Sequence, residues 1–397
     1  MNTFKKANIL IPKDIDFSKW SVVACDQYTS QPEYWNEVKD FVGDSPSSLN
    51  IVFPEAFLSE GDSRIAKINA TMDEYLSGGI FEECLDSMIY VERTMANGKV
   101  RKGIIGAIDL EDYDFSVGST SKIRATEGTV LERIPPRVKI RENAPLELPH
   151  VMLLIDDKEE TVIEQVEKGE LIYDFDLMQN SGHLKGYLLS DFEAERVLAA
   201  ISELDENAVG NLLFAVGDGN HSLATAKSLY EELKASGAEG EALARARYAM
   251  VELENIRDEV QVFEPIHRLM YNVDVDELMD YLKASCGAED GYPIVWMRGD
   301  EQGTLYLDKN KGILPVAILQ TALDKYLSEK PGNIDYIHGE DALRQLSKKP
   351  GSLGLVLEAV EKGDFFRGIA SDGVLPRKTF SMGEAQEKRY YLEARKL

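Results

Sequence analysis

The amino-acid sequence predicts an α/β fold with mixed sheets, α+β in character, and three observations support this class. Short β-like apolar runs alternate with segments of helical periodicity along the chain. Hydrophobic residues make up 44% of the sequence, enough to form a buried core although 29% of the residues are charged. At about 150 residues per domain, the 397 residues suggest two or three lobes.

The first third of the chain is predicted to contain two helices and one hairpin. The helix at 31–43 has a proline in its first turn and ends at a glycine, and the helix at 63–79 repeats apolar residues at helical spacing. Asn97-Gly98 lies between two β-like runs and predicts a hairpin over 87–113. The predicted single strands of this third are residues 8–12, 21–25 and 48–54.

The alternation continues through the rest of the chain. Residues 171–177 are predicted to pair with 183–190 across a short loop. The other predicted strands are 148–157, 211–216, 246–255 and 292–297, and the predicted helices are 161–169, 191–204 and 222–236. Candidate boundaries near 114–122 and 270–275 divide the chain into an N-terminal α/β lobe, a central core and a C-terminal α/β lobe at 1–115, 116–270 and 271–397.

The composition excludes several classes of protein. A formal net charge of −26 argues against a protein that coats nucleic acid or an anionic membrane, because neutralising phosphates requires clustered Lys and Arg. A small phosphorylated ligand is still compatible, since it needs only a local basic pocket. Three widely spaced cysteines, no secretory signal and no membrane-length apolar run predict a cytoplasmic protein.

The most informative local pattern is NLLFAVGDGNHSLATAKSLYEEL at 211–233. Apolar residues after the glycines recur at helical spacing, which predicts a strand, a glycine-rich turn and a helix rather than a hairpin. Such a turn directs backbone N–H groups and the positive helix end toward one point, where an anion can bind. Asn220 or Ser222 is predicted to cap this helix, and a tight βα connection with such a cap is the alternative to an anion site. The predicted residues are Gly217, Gly219, Asn220 and Ser222 for binding phosphate, and Asp218 and His221 at the rim for a metal or proton transfer.

Four short motifs resemble those of a bacterial family known as domain of unknown function 1015. They are GDGNH at 217–221, RATEGT at 124–129, DYIHG at 335–339 and LPRKTF at 375–380. The segment VGDGNHSLATA also resembles the ParB/sulfiredoxin-like fold, and within it the free-serine kinases. The resemblance implies a ParB/sulfiredoxin-like nucleotide- or phosphate-binding core at 116–270 with additional α/β lobes. The family motif ends in arginine where this chain has Ser222, so if that arginine holds a phosphate, another basic residue must do so here.

The segment SKIRATEGTVLERIPPRVKIRE at 121–142 has a local positive charge in an acidic chain. Arginine suits bidentate phosphate recognition, so Arg124 and Arg133 are candidates for binding phosphate. Glu127 is a candidate for removing a proton from a substrate hydroxyl, and it corresponds to a glutamate upstream of the loop in the kinase relatives. The alternative for this segment is a solvated edge strand.

The segment near the end of the chain, GVLPRKTFSMG at 373–383, contributes Arg377 and Lys378. These two residues could close over a phosphate, or they could be ordinary surface charges. The sequence contains no HExxH, CxxC or GxSxG motif, which argues against zinc and serine hydrolases.

The resemblance and these residues predict a phosphotransferase that moves a phosphoryl group between a nucleotide or pyrophosphate and the hydroxyl of a small metabolite. The resemblance favours free L-serine as acceptor, or O-phosphoserine in the reverse direction, with ATP, ADP or pyrophosphate as donor. Asp218, His221 and Glu127 are the predicted catalytic residues, and Mg²⁺ near Asp218 is the predicted cofactor. The alternatives are a nucleotide-binding regulator of ParB-like type and a phosphoserine phosphatase-like hydrolase. Neither nucleic acid nor a membrane is an expected partner, and the oligomeric state stays open.

Overall fold

Strands and helices alternate along the chain, as predicted, in a computed structural model that describes residues 3–376 and 378–397. The strands are β1 (Phe4–Lys5), β2 (Ala7–Pro12), β3 (Phe81–Ser87), β4 (Ile89–Thr94), β5 (Val100–Asp109), β6 (Tyr113–Asp114), β7 (Ile123–Ala125), β8 (Leu146–Glu147), β9 (Met152–Ile155), β10 (Glu170–Asp176), β11 (His183–Leu188), β12 (Phe214–Asp218), β13 (Tyr248–Asn255), β14 (Phe263–Tyr271), β15 (Gly287–Arg298), β16 (Glu301–Leu307), β17 (Asn333–His338), β18 (Ser352–Val356), β19 (Phe380–Met382) and β20 (Arg395–Lys396). The helices are α1 (Phe17–Trp20), α2 (Pro32–Val42), α3 (Gly61–Ser77), α4 (Ile134–Arg141), α5 (Asp191–Glu206), α6 (Asn220–Ala235), α7 (Glu241–Ala246), α8 (Val275–Cys286), α9 (Pro315–Glu329), α10 (Glu340–Leu346) and α11 (Lys362–Asp372).

The chain forms two compact units. The first unit contains the residues up to Ala125, Thr129–Gln261 and Glu384–Leu397, and the second contains Thr126–Gly128 and Val262–Gly383. This division differs from the three lobes predicted with boundaries near 115 and 270. The difference arises because strands on both sides of residue 115 share one sheet, and because the final segment belongs to the first unit.

The first unit is built on a ten-stranded mixed sheet with the order β10-β11-β4-β5-β13-β9-β12-β7-β6, and β1 also pairs with β5. Three of its pairs, β12–β7, β13–β9 and β6–β7, are parallel, and the other pairs are antiparallel. The sheet is buried on both faces, since the successive residues Ile104 and Ile105 of β5 belong to two different core clusters. This double burial explains the continuous apolar runs of its strands.

The second unit contains a six-stranded antiparallel sheet with the order β16-β15-β18-β14-β17, in which β19 also pairs with β14. Helices α8 to α11 belong to the same unit. The short segment Thr126–Gly128 joins this unit because Glu127 forms a parallel bridge with Leu375.

Most predicted elements are confirmed, but two predicted strands near the start of the chain are wrong. Residues 21–25 form no strand, and Val23 makes only an isolated bridge to Tyr390. Residues 48–54 begin with a 3₁₀ turn because the hydroxyl of Ser47 accepts a hydrogen bond from the backbone two residues later. A short apolar run predicts burial, and most residues of these two segments are buried without forming a regular β-ladder.

The predicted helix at 161–169 is also wrong. The buried carboxylate of Asp157 accepts a hydrogen bond from the backbone N–H of Val162 at 2.8 Å, which ties this segment into an irregular turn. Val162 and Ile163 are buried in the core, so their apolar character reflects tertiary packing and not an amphipathic helix. In the part of the chain that the structure describes, no helix is both long and apolar enough to cross a membrane.

The segment 384–397 is fixed in the first unit by a buried ionic cluster. Nε of Arg389 lies 2.7 Å from the carboxylate of Glu252, and the same guanidinium forms an ion pair with Glu393 and a hydrogen bond to the carbonyl of Pro149. All three charged side chains are at most 4% exposed. Because a charge buried without a partner is costly, this cluster determines the path of the segment.

Two further buried arginines hold the backbone just before Arg389. Nη2 of Arg93 donates to the carbonyl of Gln386 at 2.9 Å, and Nη1 of Arg101 donates to the carbonyl of Glu387 at 2.8 Å. The residue between these anchors and Arg389 is Lys388, whose position is therefore closely defined.

We expect Arg389→Met to destabilise the first unit by about 3–5 kcal/mol, because it leaves two carboxylates buried without a cation. Urea denaturation of the full chain measures this change in the free energy of unfolding. Lys139→Met is the control, since Lys139 forms an exposed pair with Asp62 that is worth at most about 1 kcal/mol. Equal losses in the two variants would contradict the role of the buried cluster.

Candidate functional site

The candidate site is built around the turn between β12 and α6. β12 ends at Asp218, Gly219 has a left-handed backbone with φ of 81°, and α6 begins at Asn220. A Cβ atom on Gly219 would lie 3.0 Å from Cα of Val151, so both its conformation and its surroundings require glycine. The predicted strand, turn and helix are confirmed.

The helix cap differs from the prediction. Gly219 occupies the N-cap position where Asn220 or Ser222 was expected, and no side-chain cap forms at this helix start in the described structure. The amide of Asn220 instead donates back to the carbonyl of Val216 at 3.5 Å. The first turn of α6 therefore presents its backbone N–H groups without competition from a capping hydroxyl or carboxylate.

Asp218 lies beside a cation that sequence reasoning did not identify. Its Oδ1 accepts a hydrogen bond from the N–H of Gly219 at 2.8 Å, and its Oδ2 lies 3.3 Å from Nζ of Lys388. The side chains of Asp218 and Lys388 are 17% and 15% exposed. Lys388 thus supplies a basic group at the loop, where the family motif's arginine is replaced by Ser222.

His221 is a neutral hydrogen-bonding residue at neutral pH. Burial and the nearby positive charges of Arg137 and Arg133 lower the pKa of its imidazole, while the carboxylate of Asp26 acts in the opposite direction. Its Nε2 accepts from the backbone N–H of Val130 at 3.4 Å, which assigns the proton to Nδ1. Nδ1 of His221 is therefore a hydrogen-bond donor, and the catalytic role of His221 stays a prediction.

Ser222 participates in a polar relay that the sequence did not reveal. Its Oγ lies 3.1 Å from Nε2 of His150, whose Nδ1 lies 3.0 Å from the hydroxyl of Tyr391. The Tyr391 hydroxyl also accepts from the backbone N–H of Cys25 at 3.2 Å. Burial raises the pKa of the Cys25 thiol to about 12, so this cysteine is not a thiolate nucleophile.

The two predicted phosphate-binding arginines of segment 121–142 lie in different environments. Arg124 is 4% exposed, and its guanidinium donates to the carbonyls of Ser121, at 2.8 Å, and Gly210. These contacts support a structural role, and phosphate binding by Arg124 stays a prediction without support from them. Arg133 is exposed at the start of α4, and its charge acts on His221.

Two of the remaining predicted residues belong to the second unit. Glu127 is half-buried in the second unit, and Lys378 is exposed there with a left-handed backbone at φ of 58°. Arg377 lies outside the described residues. The roles of Glu127, Arg377 and Lys378 beside the loop stay predictions.

Mg²⁺ near Asp218 stays a prediction. Within residues 3–376 and 378–397, no three His, Cys, Asp or Glu side chains are grouped to hold a metal ion. Asp218 offers one carboxylate, which is already paired with Lys388. Protein sites for Mg²⁺ commonly combine one or two carboxylates with phosphate oxygens, and we assign no step to a metal here.

We expect the His221 imidazole to titrate below the ordinary histidine pKa, and Arg137→Met to move its titration upward because one nearby positive charge is removed. Proton NMR of the imidazole C–H resonances measures both values. Stability from the neutral His221 is present above the ordinary histidine pKa and is lost as the pH falls toward the lowered value. An unchanged His221 titration in Arg137→Met would contradict the electrostatic origin of the shift.

Comparisons with known proteins found similar solved structures and one matching family model. The solved structures that this chain is similar to include a free serine kinase in complex with AMP, with 10% identity over 72% of this chain and 90% of that chain and a TM-score of 0.38. A conserved hypothetical protein from Pyrococcus furiosus matches with 11% identity, the same coverages and a TM-score of 0.34. SbnI with a C-terminal truncation, from Staphylococcus aureus, matches with 10% identity over 72% of this chain and 82% of that chain and a TM-score of 0.35.

At these values the solved structures do not assign an activity to this chain. A search of curated proteins finds no match. The model of the family described as "Protein of unknown function (DUF1015)" matches residues 9–392, which is nearly the whole chain. The motifs at 124–129, 217–221, 335–339 and 375–380 all lie within that match, and the chain belongs to the DUF1015 family.

Proposed function

We propose that this protein is a phosphotransferase that moves a phosphoryl group between a nucleotide or pyrophosphate and the hydroxyl of a small metabolite. One observation carries the proposal: a carboxylate, a neutral imidazole and three cations lie around the start of α6. These residues are Asp218, His221, Lys388, Arg133 and Arg137. Backbone N–H groups at a helix start and the positive end of the helix dipole bind phosphate, and neighbouring cations strengthen that binding.

The reaction that this arrangement supports is a direct transfer. The acceptor hydroxyl oxygen forms a bond to phosphorus while the bond from phosphorus to the leaving phosphate oxygen breaks. The carboxylate of Asp218 takes the hydroxyl proton, and the leaving group departs with the bonding electron pair. Lys388 and Arg133 neutralise the charge on the transferring group, so catalysis depends on positioning and electrostatics.

Three other assignments complete the proposal. His221 donates a hydrogen bond from Nδ1 to a phosphate oxygen. Glu127 is the second candidate for the base, on the basis of the motif resemblance alone. The same resemblance supports ATP, ADP or pyrophosphate as donor and free L-serine as the first acceptor to test.

Phosphorus NMR of the full chain with Mg²⁺, L-serine and each donor in turn tests this activity. Formation of a phosphate ester that depends on the acceptor supports transfer. Release of inorganic phosphate at the same rate without acceptor would instead indicate a phosphatase, and donor binding without turnover would indicate a regulatory nucleotide-binding protein. Either result would overturn the proposed transfer.

We expect Asp218→Asn to lower turnover by about 10²–10⁴-fold, because the amide cannot take the hydroxyl proton. The fold is expected to persist, since the amide oxygen can still accept the hydrogen bond from Gly219. Asp62→Asn is the control, because Asp62 lies on the exposed surface of α3 and pairs with Lys139. Initial rates and circular dichroism measure the two effects, and full activity in Asp218→Asn would remove this carboxylate from the mechanism.

We expect Lys388→Met to lower turnover by about 10²–10³-fold, because the transferring phosphoryl group loses one neutralising charge. Lys396→Met is a matched control in the same terminal segment, where Lys396 pairs with Glu83 at 2.9 Å. Rates at saturating and limiting donor separate the effects on kcat and KM. Equal activity in the two variants would show that the cation beside Asp218 has no part in the reaction.

A further inference from the structure

A cavity of about 180 Å³ lies in the first unit beside the start of α6. Its wall is mainly apolar, with contributions from the three helices α3, α4 and α6, the segment after α2 and the strand β13. The apolar residues that line it include Ile68, Met72, Ile140, Leu146, Leu223 and Met250. An engineered apolar cavity of about 150 Å³ binds benzene, so this volume suits a body of one ring or a short alkyl chain.

The polar groups of the cavity connect it to the candidate site. Ser222, on the first turn of α6, lines the cavity together with its partner His150. Arg137 also lines the cavity, and its charge lowers the pKa of the His221 imidazole. The cavity therefore reaches the first turn of α6, which follows the proposed base Asp218 in the chain.

The charged residues of the cavity wall are paired with one another. Arg137 forms an ion pair with Glu55, and Arg141 forms one with Glu147, and all four side chains line the cavity. The positive and negative charges within each pair cancel, so the cavity wall has no net charge that would attract an ion. A zwitterionic ligand would have to separate existing pairs to gain its own.

We propose that this cavity binds the acceptor of the phosphoryl transfer, and that the acceptor is an uncharged alcohol with a compact apolar body. The hydroxyl group lies at the end formed by Ser222 and His150, and the apolar body occupies the cavity. This inference rests on the proposed function and replaces free L-serine, a small zwitterion, as the acceptor class. Tyr391 is a positioning residue, because its hydroxyl fixes the ring of His150.

The burial of apolar surface gives the binding energy in this arrangement. At about 25 cal/mol per Å² of buried apolar surface, a ring or short alkyl chain gains affinity that serine, with a single methylene group, does not. A buried ammonium or carboxylate would add a desolvation cost that the neutral wall does not offset.

Saturation-transfer NMR of the full chain with benzyl alcohol, hexan-1-ol and L-serine as separate probes tests the inference without requiring turnover. We expect saturation transfer to both alcohols and none to L-serine in the absence of donor. Ala226→Leu fills the cavity from α6 and should abolish the alcohol signals, whereas Ala235→Leu, at the exposed end of the same helix, should retain them. Ala144→Leu fills the cavity from a different segment and repeats the test if Ala226→Leu does not fold.

Three outcomes would overturn the inference: no alcohol binding to the wild type, unchanged binding in a folded cavity-filled variant, or displacement of benzyl alcohol by AMP. The last would assign the cavity to a nucleobase.

Phosphorus NMR then distinguishes this inference from the proposed function. Alcohol binding without any phosphoryl transfer would reject the proposed function alone, whereas transfer to L-serine that persists in Ala226→Leu would reject the cavity assignment alone.

Discussion

The buried guanidinium of Arg389 is the interaction on which the candidate site depends. Two carboxylates on different elements require this cation, and neither is accessible to water as a substitute partner. The contacts between Arg389 and these two carboxylates fix the backbone on both sides of Arg389. Lys388 on one side then lies beside Asp218, and Tyr391 on the other lies beside His150. A structural ion cluster in the core thus determines the geometry of polar groups at the start of α6.

The net negative charge of the whole chain and the few cations near α6 act over different distances. A net charge of −26 repels polyanions over the Debye length, but a group of cations inside a folded unit acts at contact distance. Lys388 and the exposed Arg133 lie near the start of α6, together with Arg137, which is paired with Glu55. Under the proposed function, this local positive charge would bind a small phosphate while the acidic surface repels larger anions.

The sequence predicted the local part of the site well, because the turn at 217–222 depends on nearby residues. Glycine, the preceding apolar strand and the helical spacing after it are sufficient to specify a strand, a turn and a helix. Lys388, His150 and Tyr391 escaped prediction because their proximity to the loop depends on tertiary packing. The signal for Lys388 and Tyr391 was limited to the charged and aromatic run at 387–393, which has no motif of its own.

At Arg124 the local sequence suggests a binding role that the tertiary contacts do not support. A basic residue in a basic segment resembles a phosphate ligand in sequence, yet its donors are used by two backbone carbonyls that only the fold brings near. The capping prediction for Asn220 and Ser222 departed from the structure for a related reason. A left-handed glycine already terminates the strand, so neither side chain is needed as a cap.

The insertion of residues 262–383 between two parts of the first unit has a consequence for biosynthesis. His150 and Tyr391 are separated by 241 residues. During synthesis, the strands of the large sheet therefore leave the ribosome well before the segment 384–397, which completes the core of the first unit. During that interval the places later filled by Tyr390, Tyr391 and Leu392 are open, and apolar surface is exposed. Contacts of such long sequence separation form slowly. The nascent chain therefore passes through a stage in which the loop is complete but its two distant partners are still missing, and the second unit has the opportunity to fold first.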